Sequence, residues 1–118
     1  MRAGGISIHV YDVSRGVPAG GLRVELNGPN GKSLASGAVG AGGAFDHPTV
    51  RGEGLVVTGT YEALFHIGTW YRAQGVALPS PAFLETVSYR FGIADLAQHY
   101  HLPLKMTPWG FSLFRGGA

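Results

Sequence analysis

The sequence predicts an all-β fold, two sheets packed as a sandwich, and two observations carry that expectation. Several short segments alternate apolar and polar residues with period two, the mark of a half-buried strand. Between them, 20 glycines and 7 prolines divide a chain of 118 residues into short pieces joined by turns. Half-buried strands need a second layer over their apolar face, so a sandwich follows. The length suits one domain with a modest core, and a single domain over residues 1–118 is expected.

In chain order, Ile6, Ile8 and Val10 alternate with Ser7, His9 and Tyr11. Leu22, Val24 and Leu26 alternate with Arg23 and Glu25, and Gly28-Pro29-Asn30-Gly31-Lys32 then reads as a turn. Gly40-Ala41-Gly42-Gly43 reads as another. Tyr61, Ala63, Phe65 and Ile67 alternate with Glu62, Leu64 and His66, which predicts a strand reaching Ile67. Thr69 to Gly75 suits a short helix, with Gly75 placed as its stop. Pro79-Ser80-Pro81 is a rigid connector into Val87-Ser88-Tyr89-Arg90-Phe91, which alternates again. The last strand expected here, His99 to Leu104, places His99 and His101 on one face and Tyr100, Leu102 and Leu104 on the other.

Composition excludes several classes of function. With no cysteine, neither disulfides nor thiolate chemistry contribute, which fits a cytoplasmic protein. The formal charge is only +2, and the nine lysines and arginines form no run, so a nucleic-acid surface is not expected. No apolar stretch approaches the roughly 20 residues that span a bilayer. Ser7, His9 and Asp12 interrupt the apolar character behind Met1–Gly5, so neither a membrane role nor a leader segment is expected. No Gly-x-Ser-x-Gly elbow is present, and no Lys-Ser/Thr follows the glycines at 40–43, so neither a serine hydrolase nor a phosphate loop is indicated.

Chemistry-bearing residues concentrate near the two ends. His9 lies in the first apolar stretch, and His99 and His101 lie in the near-terminal one. Imidazole titrates near neutral pH, so it can take and return a proton during hydrolysis or ligate a metal. Three imidazoles match the ligand count of a catalytic zinc site. No cysteine or nearby carboxylate completes such a set, so no metal is expected. His66 reads as a packing or solvent-facing residue, and His47 lies in a loop with no assignable role.

The same segments carry a family resemblance. Ser7-Ile8-His9-Val10-Tyr11-Asp12 followed by Gly16-Val17-Pro18-Ala19 resembles the N-terminal signature of the 5-hydroxyisourate hydrolases, the transthyretin-related proteins of urate breakdown. Gly59-Thr60-Tyr61-Glu62 and Phe65-His66-Ile67-Gly68 resemble the middle strands of that family. Phe91 to Asp95, His99 to Leu104 and Pro108 to Ser112 resemble its C-terminal signature. The blocks are collinear from about Ile6 to Gly116, which is more specific than any one alone. The resemblance implies a transthyretin-like β-sandwich of about eight strands with one short helix. It further implies a homotetramer, a dimer of dimers, with a small-molecule ring substrate held where the sheets of two subunits meet.

The implied activity is opening of the cyclic amide of 5-hydroxyisourate by histidine-assisted attack of water, without a cofactor. His9 and His101 align with the histidines that move protons in the family. His99 is assigned a supporting place on the substrate-binding side, with Arg115 and Phe114 from the tail. The family's arginine follows a glycine in an Asp-Gly-Arg turn, and here Ala44 stands at that position. Arg51, seven residues on, is the candidate substitute. In the tail, Phe114 and Gly117 stand where the family has tyrosine and serine. Two other readings accompany the main one: a diverged enzyme opening a different ring, such as a lactone or lactam, and a small-ligand-binding protein without catalysis.

Overall fold

A computed structural model describes residues 4–47 and 57–116. Arg51 and Gly117 fall outside those residues. Two sheets form the sandwich. The first has the order β2-β1-β8-β9, built from β1 (Ile6–Asp12), β2 (Val17–Pro18), β8 (Tyr100–Thr107) and β9 (Gly110–Leu113). The two-residue β5 (Ala44–Phe45) joins it by pairing with β1. The second sheet has the order β4-β3-β6-β7, from β3 (Arg23–Asn27), β4 (Ser33–Ala38), β6 (Gly59–Phe65) and β7 (Val87–Ile93). The described residues thus contain nine strands against about eight expected; two of the nine are only two residues long.

Alternation is the reason the sheets stack. In β1 the buried positions are Ile6, Ile8, Val10 and Asp12, and in β8 they are Tyr100, Leu102, Leu104 and Met106. Val24 and Leu26 of β3 and Tyr61, Ala63 and Phe65 of β6 face them from the other sheet in one apolar core. Fully burying one such aliphatic or aromatic side chain contributes about 1.5–3 kcal/mol, so this inner face fixes the register of every strand that carries it.

The helix begins earlier than the sequence suggests. The strand expected to reach Ile67 ends at Phe65, and α1 (Ile67–Ala73) follows directly, with His66 at its N-cap. Ile67 is apolar in either reading, because Ile67, Trp70 and Tyr71 also have the i, i+3, i+4 spacing of one helical face, and all three are buried. Gly75 ends the helix as expected, with φ at +82°. Its N–H donates to the carbonyl of Arg72, and that of Val76 donates to the carbonyl of Tyr71, which closes a Schellman motif.

Asp12 is the charged residue of the buried face and links α1 to the first sheet. Its carboxylate accepts hydrogen bonds from the Ser14 N–H (3.0 Å), the Ser14 hydroxyl (2.5 Å), Arg15 Nε (2.7 Å) and the Tyr71 hydroxyl (2.7 Å). Burial alone would push its pKa up. The hydrogen bonds from Ser14, Arg15 and Tyr71 outweigh that and hold it below the ordinary value of 3.8. Among the described residues, no helix is long and apolar enough to cross a membrane.

Candidate active site

The first and last long strands of the chain lie side by side and run parallel. Ser7 of β1 stands opposite His101 of β8, although 94 positions separate them, and His9 stands opposite Pro103. On the other edge of β1, His9 pairs with Ala44 of β5. Since the even-numbered side chains of β1 and β8 go into the core, the odd-numbered ones share the outer face. Ser7, His9 and Tyr11 therefore lie beside His101 on that face, and His99 joins them from the residue before β8. All five are half-buried.

The histidines meet through specific contacts. Ser7 Oγ lies 2.6 Å from His101 Nδ1 and 2.8 Å from His99 Nε2. His99 Nδ1 lies 2.9 Å from the carbonyl oxygen of Gly4. The rings of His9 and His101 meet edge-on with centroids 5.9 Å apart, and the rings of His9 and Tyr11 meet edge-on at 6.0 Å. Burial, then the neighbouring His9 and His99, push the His101 pKa below the ordinary imidazole value of 6.5. At neutral pH His101 is therefore an uncharged base, the form that can accept a proton from water. Among the described residues, no group of three His, Cys, Asp or Glu side chains is arranged to hold a metal ion.

The tail is laid over this cluster. Gly116 bridges to His101, donating its N–H to the His101 carbonyl at 2.7 Å. A Cβ at Gly116 would stand 2.7 Å from His101 Cδ2, so the bare backbone is what lets the tail pass against the imidazole. Arg115 Nη2 donates to the carbonyl of His99 and to Gln98 Oε1, both at 3.2 Å, and its guanidinium lies 4.1 Å above the Tyr100 ring. Those contacts place Arg115 behind His99, fastening the tail. Phe114 is 46% exposed. A cavity of about 560 Å³ beside the cluster is lined in part by Ser7, Ala44, Asp46 and His99.

The structure thus brings His9, His99 and His101 together, with Arg115 and Phe114 on the adjoining tail. His66 is elsewhere, paired at 2.5 Å with Glu25 Oε2 on the second sheet, and His47 stacks on Phe45. Sequence reasoning passed over Ser7. Its place two residues before His9 put it on the right face. Its partner is set by the parallel pairing of β1 with β8, which no local pattern reveals.

Comparisons with known proteins follow the same lines. The family model described as the HIUase/Transthyretin family matches residues 6–116. The chain is 43% identical over 118 residues to 5-hydroxyisourate hydrolase 2 of Rhizobium meliloti, covering 98% of each protein. Among solved structures it is similar to the 5-hydroxyisourate hydrolase of Klebsiella pneumoniae, with a TM-score of 0.77 and 27% identity over 97% of this chain and 99% of that one. Sea bream transthyretin, solved in complex with thyroxine, has the same fold, with a TM-score of 0.80 and 20% identity over 97% of this chain and 96% of that one.

Proposed function

The chain belongs to the HIUase/transthyretin family, and from that premise we propose that it hydrolyses 5-hydroxyisourate, opening the cyclic amide by attack of water. The observation that carries the reading is the pairing of His9 with His101 on one sheet face, rings 5.9 Å apart, with His101 held uncharged at neutral pH. A relative named 5-hydroxyisourate hydrolase, matched from end to end, supplies the substrate.

The chemistry asks two things of the protein. A base must take a proton from water as its oxygen bonds to the ring carbonyl carbon. An acid must then protonate the ring nitrogen as the carbon–nitrogen bond breaks. Two imidazoles in contact suit that exchange, since the proton gained by one is held a few ångströms from where the other must deliver it. His9 and His101 take these two parts, with His99 behind them. Arg115 keeps the tail against His99, and Phe114 supplies an apolar wall near the ring.

The oxyanion formed in the attack needs a fixed donor, and the Ala44 side chain, opposite His9, has none to offer. Arg51 is our candidate for that part. A site on the outer face of a sheet is also open to water unless something covers it. For this reason we place it between subunits of a homotetramer, with residues 1–118 as one domain; the lack of cysteine fits a cytoplasmic protein.

The test follows the absorbance decay of 5-hydroxyisourate generated in situ from urate by urate oxidase. Acceleration by the wild-type protein that falls by about 10²–10⁴-fold in His101→Ala and in His9→Ala is the expected result, the range usual for a positioned acid or base. A His101→Ala protein with unchanged turnover would remove that residue from the mechanism.

A further inference from the structure

We propose that Ser7 is a positioning residue of the site, a hydroxyl switch that sets which nitrogen of His101 is free to act. The inference rests on the hydrolase reading for its kinetic consequence, but its geometric core does not.

The argument starts from the Gly4 carbonyl, which can only accept a hydrogen bond. His99 Nδ1, 2.9 Å away, must therefore carry a proton. With His99 uncharged, its Nε2 is then a bare acceptor, and the Ser7 hydroxyl 2.8 Å away donates to it. That leaves the lone pairs of Ser7 Oγ to accept from His101 Nδ1 at 2.6 Å. His101 Nδ1 is thus protonated, and Nε2 is left with an open lone pair as the basic atom. Each step runs one way, from a fixed backbone oxygen to the catalytic ring, so the tautomer of His101 follows from the position of Gly4.

The chain has a second state. When His101 Nε2 takes a proton from water, the Nδ1 proton can pass to Ser7 Oγ while the Ser7 proton passes to His99 Nε2. The serine is regenerated, His101 is left neutral with its proton on Nε2, and the positive charge rests on His99, whose Nδ1–H still donates to Gly4. The reverse shift returns the proton to His101, from which His9 is recharged after it has protonated the leaving nitrogen. His99 is thus a proton store, reached through Ser7.

Other groups around the pair leave this polarity intact. His9 and Tyr11 from β1 approach His101 as ring edges in series. Arg115 reaches the His99 carbonyl and not its ring. Asp46 lines the neighbouring cavity with Ser7 and His99, and Lys105 lies two positions beyond Pro103 on the same face of β8.

The decisive experiment pairs nitrogen-15 imidazole spectra with kinetics for the wild type, Ser7→Ala and Ser7→Thr. The wild type should show His101 with its proton on Nδ1 at pH 8, and Ser7→Ala should populate the Nε2–H tautomer. Turnover of Ser7→Ala should drop by about 10–100-fold in kcat with KM changed less than about threefold, and its acid limb should move relative to wild type. Ser7→Thr, which keeps the hydroxyl, should recover to within a few-fold of wild type. A wild-type His101 protonated on Nε2, or a Ser7→Ala protein with unaltered kcat and pH profile, overturns the proposal. Loss in Ser7→Ala without recovery in Ser7→Thr also overturns it, because a packing defect then explains the result. If the wild type fails to turn over 5-hydroxyisourate while the spectra behave as described, the switch stands and the substrate assignment fails.

Discussion

Replacing Gly116 by alanine should cut activity while leaving the fold intact, and the structure sets the size of the effect. The added Cβ would stand 2.7 Å from His101 Cδ2, and 3.5 Å from both His101 Cγ and Pro103 Cδ. Ordinary contact begins near 3.4 Å, so tail and imidazole must separate by about 0.7 Å. Neither partner yields freely: Gly116 is tied to the His101 carbonyl at 2.7 Å, and the His101 ring is held by Ser7. A displacement of about 1 Å at a reacting group costs on the order of 10²-fold in rate, so a 10–100-fold fall in kcat is expected. Gly116 lies outside the left-handed region, so the substitution adds no backbone strain, and the loss of stability should stay at about 1–3 kcal/mol, that of a local overpacking. The assay is 5-hydroxyisourate decay beside thermal unfolding, with Gly110→Ala as control because a Cβ there meets nothing within 4 Å. A Gly116→Ala enzyme within twofold of wild type would show that the tail does not constrain the imidazole.

Three further outcomes are expected. His101 has its pKa pushed below 6.5 by burial and by its histidine neighbours, so the neutral base persists as pH falls through 6.5; the rate should decline only through the lowered value, and an acid limb centred above 6.5 in a pH–rate profile would contradict this. Asp12→Ala should destabilise the protein by about 2–4 kcal/mol in denaturant unfolding, because the buried Tyr71 hydroxyl keeps only a 3.4 Å contact with the Met106 carbonyl; since the Asp12 pKa is depressed, its stabilisation is complete above 3.8 and is lost as pH falls through the lower folded value. Ala44→Arg, which puts a guanidinium opposite His9, should raise kcat/KM by about tenfold or more in the same decay assay, and a fall would mean that this place is needed for substrate bulk.

How much of this was legible in the sequence depended on whether the signal was local. The alternation at Ile6–Val10, Val24–Leu26 and Tyr100–Leu104 is a local consequence of one face meeting the core, and it located three long strands. The helix boundary at Ile67 was misplaced because an apolar residue there satisfies both periods, and only packing decides between them. The two-residue strands β2 and β5 carry no period to detect. The histidines were found by residue type, and collinear motifs raised them above ordinary surface residues. The bond of Ser7 to His101 was not legible, because it depends on two strands at opposite ends of the chain pairing in a particular register.

That register is also why the site is stable without many contacts of its own. A slip of β8 by one residue against β1 would turn Tyr100, Leu102, Leu104 and Met106 outward and send His101, Pro103 and Lys105 into the core. Each of the four displaced side chains would forfeit about 1.5–3 kcal/mol of burial, and the charged Lys105 would have to be desolvated. The penalty for misplacing His101 thus falls on the apolar face behind it, several times larger than any hydrogen bond the imidazole makes. Ser7 need only choose a tautomer for a ring whose place the core has already decided. The positions near this face where a side chain can change cheaply are those outside that constraint, namely Ala44 in the short β5 and the exposed Phe114 in the tail. Ala44 and Phe114 are also where the resemblance to the hydrolases implies an arginine and a tyrosine, as expected if the core fixes the histidines and leaves substrate contacts free to vary.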